Sequence, residues 1–138
     1  MIRFEQELIE FFETKDSVTL AYLFGSTVRG DANQLSDVDI AVKFDESLSK
    51  KDVFGAELSL ISELTGILKT DKVDLVVMND APLLLNYNII KNGKILKSDE
   101  SIRIQFETMT LSTYLDEKHY IEQHTNNILN RVAQSGFA

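Results

Sequence analysis

The segment Asp37-Val38-Asp39-Ile40-Ala41-Val42-Lys43-Phe44 constrains this chain more than any other. Its β-branched and aromatic residues predict a strand. On a strand, residues two apart point the same way, so Asp37 and Asp39 share one face while Val38 and Ile40 take the other. Neighbouring carboxylates repel and each raises the other's proton affinity. Strands disfavour Asp in any case. A hard divalent cation such as Mg²⁺ removes that cost, because it prefers carboxylate oxygen. Asp-x-Asp also opens calcium loops of the EF-hand kind, which require Gly at the sixth place and Glu at the twelfth. Counted from Asp37 those places hold Val42 and Leu48, so the calcium-loop reading fails.

Two further segments bear on the same chemistry. Val18 to Phe24, VTLAYLF, is too apolar for a solvated face and predicts a buried strand. Gly25-Ser26 ends it. Gly25 lets the backbone approach an anion closely. Ser26 offers a hydroxyl, and a short helical turn from Thr27 to about Gly30 would aim its N–H groups at phosphate. Arg29 stands one turn on and could add charge for a triphosphate. Val73 to Met78, VDLVVM, predicts a third strand with Asp74 second in it. If that strand lies beside the Asp37–Phe44 strand, Asp74 completes a three-carboxylate cluster. Such a cluster can hold two metal ions and suits in-line displacement at phosphorus.

The remaining elements frame these three strands. Ile2 to about Thr14 has the periodicity of a helix, with Leu8, Ile9, Phe11 and Phe12 on its apolar side. Ser49 to Asp52 resembles a capping box opening a second helix, through Val53, Ala56, Leu60, Ile61 and Leu64, for which Gly66 is a suitable end. Pro82 fits the first turn of another helix, stopped by Asn92-Gly93. Lys94 to Lys97 reads as a short edge strand. Asp99 to about Ala133 is mostly helical, with Asp116 as a possible break. The connection from Gly25 to Ser36 is too short for a full parallel crossover, so the first two strands should be antiparallel or splayed. The expected fold is α/β of the α+β kind, a small mixed sheet flanked by helices. It is expected to form one domain over 1–138, with a C-terminal helical region from about 99.

Composition excludes whole classes of function. Without cysteine there are no disulfides and no thiolate metal sites. A net charge of −8 disfavours phosphate backbones, so no direct nucleic-acid binding is expected, and it favours basic partners. No apolar run could span a bilayer, and glutamates interrupt the N-terminal pattern where a signal peptide would be apolar. A cytoplasmic protein is expected. His119 and His124, five apart on a helix, do not share a face and read as surface residues. Tyr114 and Tyr120 read as packing or interface residues, Lys43 as a phosphate contact or a solvated strand residue. Tyr22 or Tyr87 could flank an adenine.

Gly25-Ser26 followed ten residues later by Asp37-x-Asp39 resembles the signature of the minimal nucleotidyltransferases of the polymerase-beta-like superfamily. The flank Leu23-Phe24-Gly25-Ser26-Thr27-Val28-Arg29-Gly30 is similar to that family's opening, with Val28 where alanine is usual. Asp74 falls where the family's third carboxylate belongs. The resemblance covers roughly the first hundred residues. It implies ATP as substrate and Mg²⁺, two ions, on Asp37, Asp39 and Asp74. It also implies the antitoxin half of a HEPN/MNT toxin–antitoxin pair, transferring AMP to a hydroxyl, typically tyrosine, of the cognate HEPN ribonuclease toxin. Two alternatives stay open: a non-catalytic antitoxin that masks its toxin sterically, and a nucleotidyltransferase acting on a small molecule such as an antibiotic. The intact carboxylates speak against the first. The short chain speaks against the second, because relatives that act on aminoglycosides carry a second domain.

Overall fold

A computed structural model describes residues 4–25 and 38–135. In chain order the elements are α1 (Glu5–Glu13), β1 (Val18–Phe24), β2 (Val38–Phe44), α2 (Lys50–Leu68), β3 (Val73–Val77), α3 (Leu83–Asn92), β4 (Lys94–Ser98) and α4 (Glu100–Ser135). The four strands form one sheet in the order β3-β2-β1-β4. β1 pairs antiparallel with β2 and with β4, while β2 and β3 run parallel. The sheet is therefore mixed, as the short connection after β1 predicts. β4 is an edge strand, as its brevity suggests.

Both faces of the sheet are covered, which explains the unbroken apolar runs of β1 and β2. On one face Leu8 and Phe12 of α1 and Leu60, Leu64 and Leu68 of α2 pack on Ala21, Leu23, Ile40, Val42 and Phe44. On the other, Ile89 of α3 joins Leu20, Tyr22, Ala41 and Met78, with Ile102 and Phe106 of α4 against them. Val18 and Leu20 are two apart yet lie in opposite layers. A register shift between them, opposite Phe44 and Lys43, turns the strand over at Thr19. The Thr19 hydroxyl donates to the Lys43 carbonyl at 3.0 Å and holds that irregularity in place.

Two helix boundaries differ from the sequence reading. Ser49 caps α2 as expected, its hydroxyl accepting from the Asp52 N–H at 3.1 Å. The helix, however, continues past Gly66 to Leu68 and ends at Lys69 in the left-handed conformation, φ 55°. Gly66 has nothing within 4 Å of where a Cβ would stand, so nothing local demands glycine there. α4 is unbroken through Asp116, since an exposed Asp within a long helix costs too little to interrupt it. Among the described residues no helix is long and apolar enough to cross a membrane.

Candidate active site

The two acidic strands meet in register. Asp39 of β2 lies opposite Asp74 of β3 across the parallel pair. Neighbouring strands stand about 4.8 Å apart, and side chains in register share a face. That face is the one bearing Ala41 and Tyr22, because Ile40 and Leu75 point to the opposite layer. Asp39 is partly buried and Asp74 is exposed. Both stand at the amino-terminal ends of their strands, where β1 ends. Phe24 is the β1 partner of Asp39.

Gly25 follows Phe24 with φ 80°, a conformation in which side-chain-bearing residues are strained. A Cβ built there would collide with the Asp39 carboxylate. The α-carbon of the turn therefore lies against one of the two acidic groups. This is the close backbone approach that the sequence leads one to expect of Gly25, but what it approaches directly is the carboxylate. Glycine is required here twice over, by backbone angle and by space.

The other expected members of the site, Ser26, Arg29 and Asp37, lie outside the described residues, as does the short helical turn after Gly25. Among the described residues no cluster of three potential metal ligands forms. The donors brought together there are the carboxylates of Asp39 and Asp74. An all-oxygen donor set fits Mg²⁺ and does not fit a thiolate- or imidazole-preferring metal.

Three residues weighed from the sequence take other roles. Lys43 shares the Asp39 face but stands four residues along the strand, about 13 Å away. It is 7% exposed, its ammonium lies 2.6 Å from Glu46 and faces the Phe106 ring, so it is neither solvated nor near Asp39. Tyr87 is occupied on one side by Tyr114, with ring centroids 3.7 Å apart and planes within 3°, and carries Lys91 at 5.6 Å. Tyr22 is fully buried, and its hydroxyl donates to Glu107 of α4 at 2.7 Å. Burial, then the Glu107 hydrogen bond, push its phenol well above the ordinary value. Glu107 in turn accepts from Arg103, which also binds Glu100 and the Ser98 hydroxyl. This polar line ties β1, beside Asp39, to the last helix. Sequence reasoning missed it, because Tyr22 and Glu107 are 85 positions apart and neither belongs to a motif.

Comparison with known proteins agrees with this geometry. Residues 6–102 match the family model described as polymerase beta, nucleotidyltransferase. A relative from Shewanella oneidensis, the protein adenylyltransferase MntA, is 34% identical over 95 residues, which are 69% of this chain and 65% of that protein. The chain thus spans somewhat less than two-thirds of that relative. A toxin–antitoxin crystal structure with AMP-PNP contains a chain that superposes with a TM-score of 0.70 at 25% identity, covering 91% of this chain and 98% of that one. A crystal structure of the MntA-HepT toxin–antitoxin superposes with a TM-score of 0.63, also at 25% identity, covering 91% and 96%. These matches carry the fold read from the sequence, a mixed α+β sheet of the polymerase-beta kind.

Proposed function

The chain belongs to the polymerase-beta nucleotidyltransferase family, and we propose on that footing that it transfers AMP from ATP to a hydroxyl of a cognate HEPN toxin. The observation that carries the reading is the in-register pair Asp39 and Asp74 with Gly25 closed against Asp39. The MntA relative is itself a protein adenylyltransferase, and a fold neighbour was solved as a toxin–antitoxin with an ATP analogue.

The chemistry asks for a hydroxyl oxygen to attack the α-phosphorus of ATP. The bond from that phosphorus to the bridging oxygen breaks, pyrophosphate leaves, and the hydroxyl proton passes to a carboxylate. Asp74, the exposed member of the pair, is the carboxylate an incoming protein hydroxyl can reach, and we assign it the proton or a share of the metal. Asp39, partly buried and backed by the turn, is held in one place for metal binding. Asp37, two residues before it, is proposed as the third ligand. Mg²⁺ on these carboxylates would polarise the phosphates and neutralise the departing pyrophosphate. Gly25, Ser26 and Arg29 are proposed to receive the triphosphate, by backbone approach, a hydroxyl and a guanidinium respectively. The net charge of −8 suits a basic protein partner and speeds the encounter.

The deciding experiment mixes the chain with its toxin, ATP and Mg²⁺ and weighs the toxin by intact mass spectrometry. Gain of one or more adenylyl groups, lost with Asp39→Asn, supports the proposal. Neutralisation of the toxin with no change of mass overturns it in favour of steric masking.

A further inference from the structure

The strand order leaves β3 with a neighbour on one side only among the described residues. The Val38 N–H donates to the Lys72 carbonyl and the Met78 N–H to the Val42 carbonyl, both at 2.8 Å. With the parallel register between them, even-numbered residues of β3 turn their backbone groups to β2 and odd-numbered residues turn theirs outward. The Val77 carbonyl takes the Asp80 N–H at 3.4 Å. The N–H groups of Val73, Leu75 and Val77 and the carbonyls of Val73 and Leu75 face no described strand. Such an edge is a template for a further strand. It is also the open side of Asp74. Asp39 stands on the β2 side, with Gly25 closed against it. Val76, next along the same face, packs with Ile89 of α3, and α2 covers the opposite face. At the carboxy-terminal end of the edge a hollow of about 520 Å³ is lined by Val77, Glu57 and Asp80. Among the described residues Asp45 and Glu46 line it too, against Lys50 as the one cation.

We propose that the acceptor protein adds an extended segment to this edge as a further strand, antiparallel to β3, with its hydroxyl-bearing residue opposite Asp74. The inference rests on the transfer reading and names how the acceptor reaches that site. Because Asp74 turns its own N–H and C=O to β2, the residue opposite it belongs to a non-hydrogen-bonded pair, the closer kind, with α-carbons about 4.5 Å apart. Its side chain rises on the face that Asp74 shares with Asp39. Leu75 exchanges both of its outward hydrogen bonds with the preceding residue of the segment, and Val73 does so with the following one. Alternation sends those two side chains toward α2. The residue three places before the hydroxyl comes opposite Val77 and enters the hollow, where the surplus of acids selects Arg or Lys. Main-chain bonds along the edge supply affinity, and the two alternating side chains supply selection.

Leu75→Pro removes an outward N–H and leaves the β2 ladder intact. Leu75→Ala is its control, since it loses the leucine packing but keeps the N–H. In the mass-shift assay Leu75→Pro should raise the KM for toxin ~10-fold over Leu75→Ala. Both should bind Mg²⁺ and an ATP analogue with a methylene between its α- and β-phosphorus equally well by calorimetry. Glu57→Gln combined with Asp80→Asn should raise the same KM and flatten its dependence on salt. Amide exchange by NMR needs no variant. Adding toxin without nucleotide should slow exchange at Val73, Leu75 and Val77 and leave Asp74 and Val76, already bonded to β2, unchanged. A wild-type chain that never modifies the toxin overturns the transfer reading and this inference together. Transfer by wild type with equal KM in Leu75→Pro and Leu75→Ala, or with exchange at Val73, Leu75 and Val77 unaltered by toxin, overturns this inference alone. So does protection of those amides that grows with the concentration of the chain by itself, which would place a second copy on the edge.

Discussion

Gly25→Ala is the perturbation whose outcome the geometry specifies most fully. At φ 80° an L side chain costs about 1–2 kcal/mol. The added Cβ also overlaps the Asp39 carboxylate, so either the turn or the acid must shift. The turn has the rest of β1 behind it, whereas the carboxylate can rotate about its side-chain bonds. The acid is therefore expected to move, carrying any metal bound to it away from the phosphates. Stability should fall by about 1–2 kcal/mol, lowering Tm by roughly 3–8 °C in a chain of this size. Transfer should fall at least ~100-fold, because displacement of about 1 Å in a catalytic group can cost that much. Gly66→Ala is the control. Its Cβ meets nothing within 4 Å inside α2, so it should stabilise by about 0.5–1 kcal/mol and leave transfer untouched. Differential scanning calorimetry and the mass-shift assay on both variants decide the matter. Full transfer by Gly25→Ala would refute the coupling of the turn to Asp39.

Asp39→Asn and Asp74→Asn should each reduce transfer by ~10²–10³-fold while circular dichroism stays native, and EDTA should abolish the wild-type mass shift until Mg²⁺ is restored; activity unaffected by EDTA would remove the metal from the proposal. Tyr22 has its phenol held above its ordinary value of 10, chiefly by burial. Its folded state therefore favours the protonated form, and the stability this contributes is complete below pH 10 and is lost as pH rises above it. Urea melts from pH 8 to 11 should show that loss in wild type and a shallower one in Tyr22→Phe, and equal slopes would show that Tyr22 is not its source. Lys69→Gly removes a left-handed penalty at the α2 C-terminus and should raise stability by about 0.5–1 kcal/mol, read as a shift in urea midpoint.

How much of this was legible from sequence depends on how local the cause is. β1, β2 and β3 are apolar runs bounded by charge or glycine, and their residues announce them one by one. The Ser49 cap needs three residues of context and was equally plain. The pairing of Asp39 with Asp74 could be stated only as a condition, since it depends on which strand lies next to β2. The end of α2 was misplaced because Gly66 satisfies a general preference, while Leu68 on the core face extends the helix. Burial of Leu68 outweighs the strain at Lys69. The Lys43 ammonium was missed as a buried group because its partner Phe106 comes from the far end of the chain. The closure of Gly25 on Asp39 has no signature in composition, though a glycine where the strand leads into a motif was a fair hint of it.

The strand order β3-β2-β1-β4 also fixes an order of events during synthesis. Once residue 78 has emerged from the ribosome, β1, β2 and β3 are all free and their ladders can close. The acidic pair and the turn against it thus belong to the portion of chain that can assemble first. The outer edge of β1 then waits for β4, whose first residue is Lys94, and its N–H and C=O groups stay open meanwhile. At about 5–20 residues per second that interval lasts on the order of a second. Leu20 and Tyr22, on the face that α3 and α4 cover, are exposed to other nascent chains during it. A chain whose emergence halted between Met78 and Lys94 would have its acidic strands paired and one sheet edge adhesive, and substitutions that slow β4 docking should show first as aggregation.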